Sequence, residues 1–350
     1  MKLAEYEEVL LNHTSCPVCQ SANATRLWST DSECAAQHYV LKERESDRHL
    51  ELVKAIENRW HAKNCNVMQC SECGFCFADP YCAGDEEFYR IAYQRTHYPR
   101  WKWEFQLTLD ELQAITTNST RLLEIGAGDG AFVKRVAELT AIQKSNIVCT
   151  EFSQYGYDEI QKVDVHCHQR DIRSIGFESA KRFDVICLFQ VLEHMDNLGS
   201  LFSKLYEISN ERARIFIAVP NERAIDYYEK HGALLDMPPN HVGRWNRTCF
   251  ENIATQYGFE LVDHQIEPTV FPGTYFKYIK YCHLRNSQAS GSIENRIESI
   301  RDGISRNMLR LISLTFIGVR NFRKILRIDR NMGSSQWVCL IKKDVSANIL

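Results

Sequence analysis

The sequence has no stretch of about 18 consecutive uncharged apolar residues, the least an α-helix needs to cross a bilayer, so no membrane span is expected. Residues Met1 to Leu11 mix acids among their apolar side chains. They lack the basic start and apolar run of a secretory signal, which predicts a cytoplasmic location. Nor is there a general excess of positive charge. The net charge of −3 argues against a general polyanion binder, so nucleic acid is not an expected partner. The balance is uneven, however. Between Tyr275 and Arg330 twelve Lys and Arg face four acids, so one late segment is basic on an otherwise acidic chain.

What the chain has in quantity is cysteine. Eight of its fourteen cysteines fall between Cys16 and Cys82, and in a reducing compartment short-spaced pairs point to metal rather than disulfides. Cys16-Pro-Val-Cys19 and Cys70-Ser-Glu-Cys73-Gly74 have the spacing at which a tight knuckle presents two thiolates to one tetrahedral zinc. Gly74 permits the left-handed turn that aims amides at sulfur. Residues 20–69 separate the pairs, too many for a simple zinc ribbon, so a folded insertion is expected. Gln37 to His61 reads as an inserted helix, with Leu50, Val53, Ile56 and Trp60 at helical spacing. Cys34, Cys65, Cys76 and Cys82 stand as substitute ligands. A closed four-cysteine site leaves no open position, so the zinc is expected to be structural.

The middle of the chain reads as a doubly wound α/β domain. Arg121-Leu-Leu-Glu-Ile-Gly126-Ala-Gly128-Asp-Gly130 is a short apolar strand entering a glycine turn, and an amphipathic helix over Phe132–Leu139 follows. Glycines there let the backbone approach a ligand and aim the first amides of the helix at it. Gly126-x-Gly128-x-x-Ala131 also satisfies the dinucleotide fingerprint, which leaves an NAD-dependent oxidoreductase open. A strand ending at Glu151 places an acid where both ribose hydroxyls of a nucleoside can reach it, and Asp171 follows a third short segment. Phe183–Phe189 and Arg214–Pro220 read as buried parallel strands, and Tyr257-Gly258-Phe259 marks a helix end and a sixth strand.

In this order the motifs resemble those of class I S-adenosylmethionine-dependent methyltransferases over residues 120–265, with a last strand at Trp337–Lys342. The resemblance implies a Rossmann-like seven-stranded sheet in which Gly126, Ala127, Gly128 and Gly130 cradle the cofactor's carboxypropyl part. Glu124 would hold its amino group, Glu151 the ribose and Asp171 the adenine, with Phe152, Ile172 and Gln190 as further neighbours. The domains expected are a zinc module at 1–82, a linking helical segment at 83–119, the cofactor domain at 120–267 and 333–345, and a basic helical insertion at 268–332. The cysteine pairs ahead of this core, and the aromatics Tyr89, Tyr93 and Tyr98 between them, are similar to a subgroup that includes deoxysugar C-methyltransferases. The long insertion departs from that subgroup, and so does the lack of its second C-terminal domain.

Methyl transfer to a hydroxyl requires a base, and two histidines lie on the expected cofactor face. His194 follows Glu193 at the end of the fourth strand, and His241 lies in Asp236-Met-Pro-Pro-Asn-His241-Val-Gly-Arg-Trp245. His241, beside Trp245, is the favoured base. Glu193-His194 with a later His is similar to the metal site of ubiquinone-type and small-RNA 2′-O-methyltransferases. There a second Glu stands three residues before the Glu-His acid, where this chain has Gln190, a poor ligand for a hard cation, so a catalytic divalent ion is not expected. The expected reaction is O-methylation of a small polar, sugar or glycan-type acceptor. The alternatives are C- or N-methylation of a natural product or nucleotide sugar, RNA 2′-O-methylation, and a non-catalytic binding module. The basic insertion, one or two helices, reads as a lid or homodimerisation element or, through 306–328, a membrane-surface contact.

Overall fold

A computed structural model describes residues 15–42, 44–93, 101–177, 182–230, 238–269, 271–287, 289, 291–326 and 332–344. Residues 1–11, Tyr98, Asp236 and the end of the 306–328 stretch, all singled out above, lie outside them. The described chain divides into two compact units. The larger takes 15–219, 238–265 and 335–344, and the smaller takes 220–230, 266–326 and 332–334.

The larger unit holds two sheets. The first has the order β1 (Ala24–Asp31), β2 (Asn64–Cys70), β3 (Cys76–Asp79), β9 (Gly243–Arg244), each pair antiparallel. Between β1 and β2 the expected single helix is two, Ser32–Tyr39 and Ser46–Trp60. Asp31 caps the first by accepting from the Cys34 amide at 2.7 Å. On the second the buried stripe is His49, Leu52, Val53, Ile56 and Trp60. Leu50, expected inside, is 44% exposed because it lies about 100° around the helix from His49, on the edge of the stripe that His49, Leu52, Val53 and Ile56 centre.

The second sheet has seven strands in the order β10 (Phe259–Ile266), β11 (Ser335–Lys342), β8 (Ser209–Pro220), β7 (Phe183–Phe189), β4 (Leu122–Ile125), β5 (Ile147–Thr150), β6 (His166–His168). The β4–β5, β5–β6, β4–β7 and β7–β8 pairs are parallel. This is the expected α/β, Rossmann-like sheet. Its strand sequence reverses between β4 and β7, and open α/β sheets bind ligands at such a switch point, beyond the strand carboxyl ends. Alternate residues serve opposite faces. Leu123, Ile125, Ile186 and Leu188 enter one core, and Leu122, Val185, Cys187 and Phe189 the other. The first core also contains Val18, Met68, Phe75 and Phe77, so the cysteine-rich segment packs onto the sheet rather than standing apart.

The smaller unit is helical, built from Glu222–Glu229, Phe271–Ser287, Ile293–Glu298 and Gly303–Ile325. Tyr278, Ile279, Cys282, Ile317 and Ile325 form its core. A Cβ on Gly318 would lie 2.1 Å from Tyr275 Oη, so the two long helices cross in close contact there. Among the described residues the insertion thus has three helices rather than the one or two expected, and the helix Glu222–Glu229 clusters with it.

Candidate functional site

Two knuckles converge at the edge of the first sheet. Cys16 Sγ lies 3.6 Å from Cys73 Sγ, Cys19 Sγ lies 3.5 Å from Cys70 Sγ, and all four sulfurs fall within 4.8 Å of one another. A disulfide would require about 2.05 Å. Four ligands about 2.3 Å from a tetrahedral zinc stand about 3.8 Å apart, so the donor set and its spacing both fit zinc. The residue after each second cysteine is left-handed, Gln20 at φ 62° and Gly74 at φ 72°. Burial pushes Cys16 up and Cys19 up to about 11. Burial also acts on Cys70, yet the amides of Cys73 and Glu72 hold it below its usual value, so a thiolate is favoured there. Cys34, Cys65, Cys76 and Cys82 stand outside the quartet; Cys65 Sγ donates to Asn66 O and Cys82 Sγ to Arg59 O.

At the switch point β4 runs into the glycine turn. Gly126, Gly128 and Gly130 have φ of 70°, 58° and 75°, and a Cβ on Gly126 would lie 2.5 Å from Val191 Cγ2. Gly126 and Ala127 donate to Thr150 O at 2.9 and 3.0 Å, which ties the turn to the end of β5. Glu151 accepts from the amides of Gly128 at 2.9 Å and Ser153 at 2.8 Å, so the carboxylate is fixed beside the turn. Glu124 is 1% exposed, its Oε2 accepts no hydrogen bond among the described residues, and burial raises its pKa well above the usual range. A buried carboxylate with an unbonded oxygen fits a cationic group such as the cofactor's ammonium.

The other residues assigned to the cofactor are placed unequally. Ala127 and Ile172 are buried, and Phe152 is 67% exposed. Asp171 is held by Arg173, whose Nε and Nη2 donate to it at 2.9 and 2.6 Å. Burial pulls Asp171 upward, but these bonds keep its pKa below the usual value. Arg173 continues to Asp196 O at 2.8 Å. Gln190 has φ 58° and turns its amide to Glu104 Oε1 at 3.0 Å and Ser335 Oγ at 3.1 Å.

The two candidate bases come together. The His194 and His241 rings meet edge to face with centroids 4.6 Å apart, and Glu193, His194 and His241 offer ligand atoms within 4.8 Å of one another. His194 Nδ1 lies 2.7 Å from Asn240 O, and since a carbonyl only accepts, that nitrogen carries the proton. Nε2 of a neutral His194 is then the basic nitrogen, 3.9 Å from Glu193 Oε1. Tyr89 Oη stands 3.2 Å from Nδ1, and burial raises the Tyr89 pKa, so the phenol stays neutral. Val242 donates to Glu193 O, and Gly243–Arg244 pairs with β3, which fixes the His241 loop between the two sheets of this unit. Trp245, a few residues after His241, is fully buried, with ring centroids 5.0 Å from Phe75 and 5.2 Å from Phe250. Asn240 is an orienting group that the sequence did not single out, since it acts through its backbone, and Tyr89, singled out only as an aromatic ahead of the core, reaches His194 across 105 residues.

A family model described as a methyltransferase domain matches residues 94–264. Among solved structures the chain is similar to phosphoethanolamine N-methyltransferase 2 of Haemonchus contortus bound to phosphomonomethylethanolamine and S-adenosylhomocysteine. The two are 15% identical over 69% of this chain and 53% of that one, with a TM-score of 0.41. Coclaurine N-methyltransferase bound to N-methylheliamine and S-adenosylhomocysteine is 17% identical over 67% of this chain and 71% of that one, TM-score 0.42. The [4+2]-cyclase SpnF is 16% identical over 71% and 84%, TM-score 0.42. The chain spans about half the length of the first of these. No curated protein matches it. The stretch that matches the methyltransferase-domain model contains strands β4 to β8 of the Rossmann-like seven-stranded sheet.

Proposed function

We propose that the chain transfers a methyl group from S-adenosylmethionine to a hydroxyl of a small polar, sugar or glycan-type acceptor, with a structural zinc in the cysteine quartet. The observation that carries the O-methylation reading is the pairing of His194 with His241 next to a strand end that packs on the glycine turn. Val191, against Gly126, accepts from the His194 amide, so His194 lies in the short loop that packs on the glycine turn, and the His241 ring meets it from a second loop. When bound, the cofactor supplies an electrophilic methyl on a cationic sulfur. Glu124, the glycine turn and Glu151 would hold it. His241 takes the acceptor proton as the new C–O bond forms and the C–S bond breaks, and His194, oriented by Asn240, sits edge-on against it.

The test adds protein and cofactor to a metabolite extract and seeks, by mass spectrometry, a compound that gains one methyl. On that acceptor His241→Ala is expected to lower turnover roughly 10²–10⁴-fold, remove the acidic limb of the pH–rate profile and leave S-adenosylhomocysteine affinity unchanged. Near-normal turnover removes His241 from the role of base. Normal cofactor binding with no transfer to any compound favours a non-catalytic module.

A second reading rests on the convergence of Glu193, His194 and His241 within 4.8 Å. These three would hold a divalent cation that polarises the acceptor oxygen. In that case chelation abolishes activity until magnesium or a similar ion is returned, and Glu193→Ala is as damaging as His241→Ala. Activity that resists chelation excludes it.

A further inference from the structure

The helix Gly303–Ile325 is amphipathic in an unusual sense: its solvent-facing side is the apolar one. Ser313, Ile317, Gly318 and Ile325 are buried within the helical unit. On the opposite arc Ile304 is 81% exposed, Met308 64%, Leu311 66%, Phe316 67% and Val319 73%. Successive spacings of four, three, five and three residues keep these side chains within an arc of about 140°, one broad stripe along the helix. Isolated exposed hydrophobics are ordinary in a folded protein, but a continuous stripe of this length marks an interaction surface.

Charge indicates the partner. Gly303 to Leu326 contains no Asp or Glu, while Arg320, Arg323 and Lys324 are exposed near its C-terminal end. We propose that this face docks on an anionic lipid bilayer, with the apolar stripe in the acyl boundary and the three cations among the phosphate headgroups. A bilayer surface accepts both parts of the face. A second copy of the same face would bring like charges together, and a nucleic acid would leave the apolar stripe in water. No described helix is long and apolar enough to cross a membrane, so the contact is peripheral.

The full chain should be sedimented with vesicles of phosphatidylcholine alone and of phosphatidylcholine mixed with phosphatidylserine. Binding is expected to the mixed vesicles, to weaken as salt rises, and to be slight on phosphatidylcholine alone. Exposed positions tolerate substitution, so the double change Leu311→Asn, Phe316→Asn should abolish sedimentation with thermal unfolding and S-adenosylhomocysteine affinity unchanged. The triple change Arg320→Glu, Arg323→Glu, Lys324→Glu should reduce affinity for the mixed vesicles by on the order of 10²-fold or more, since each cation near such a surface is worth about a factor of five. Three results would overturn the proposal. They are wild-type protein that stays in solution with mixed vesicles at low salt, apolar variants that bind as well as wild type, and a lipid-free homodimer that the apolar variants dissociate.

Discussion

The cysteine knuckles and the glycine turn place residues in the same left-handed region of backbone space, yet they do not fill it with the same residues. Gln20 holds φ 62° with an exposed side chain, while Gly74, its counterpart in the second knuckle, holds φ 72° as glycine, and Gly126 holds φ 70°. Surroundings account for the difference. A Cβ on Gly74 would lie 2.8 Å from Asn246 Nδ2, which donates to Cys73 O at 3.0 Å while the Asn246 Oδ1 caps the helix Arg247–Gln256. A Cβ on Gly126 would meet a methyl of Val191, whose branch at its own Cβ leaves little room to retreat. A positive φ alone costs a side chain about 1–2 kcal/mol; close neighbours make glycine obligatory.

The comparison breaks most severely if the metal is lost. Freshly purified, reduced protein is expected to hold about one zinc per chain by elemental analysis, and Cys70→Ser should lose it. Because the quartet's segment shares a core with the seven-stranded sheet, melting should fall by about 10 °C rather than affect the first sheet alone. Protein that is zinc-free yet melts normally rejects the assignment.

Next in size is Gly126→Ala. It should weaken S-adenosylhomocysteine binding on the order of 10²-fold in calorimetry while the fold persists, since strain at a functional turn costs about 1–3 kcal/mol. Unchanged affinity would move the cofactor away from this turn.

Glu124 gives a smaller effect with a distinct pH signature. Its pKa is raised by burial, and a cationic partner binds its ionised form. Cofactor affinity should therefore be weak at low pH, rise as the carboxyl ionises, and level off above that. Glu124→Gln should bind about 1.5–3 kcal/mol more weakly at the plateau and show no such rise. A wild-type affinity flat in pH contradicts this.

The finest test contrasts the knuckles themselves. Gln20→Gly should stabilise by no more than about 1 kcal/mol, since relief of the positive φ is offset by glycine's freedom in the unfolded chain, whereas Gly74→Ala should cost more than about 2 kcal/mol, φ strain and the Asn246 contact together. Equal effects in denaturant unfolding would show that φ, not packing, governs both turns.

Much of this architecture is written in local patterns. The apolar runs at Leu122–Ile125 and Phe183–Phe189 and the glycines after the first run are enough to place two central strands and a glycine turn. Two Cys-x-x-Cys pairs likewise suffice to name a quartet. The same reasoning misplaces Leu50, because apolar spacing tolerates a neighbouring residue about 100° around the helix.

By itself, then, the sequence determined the strand and helix grammar, the glycine turn and the spacing within each cysteine pair, all of which depend on residues a few positions apart. The tertiary structure alone decided that Gln190 turns to Glu104 across 86 residues, that Tyr89 reaches His194 across 105, and that Asn246 braces Cys73 across 173. It also decided that Gly243–Arg244 extends the first sheet beside β3. Such contacts follow from where the packed sheets bring distant segments together, and no local periodicity encodes that distance.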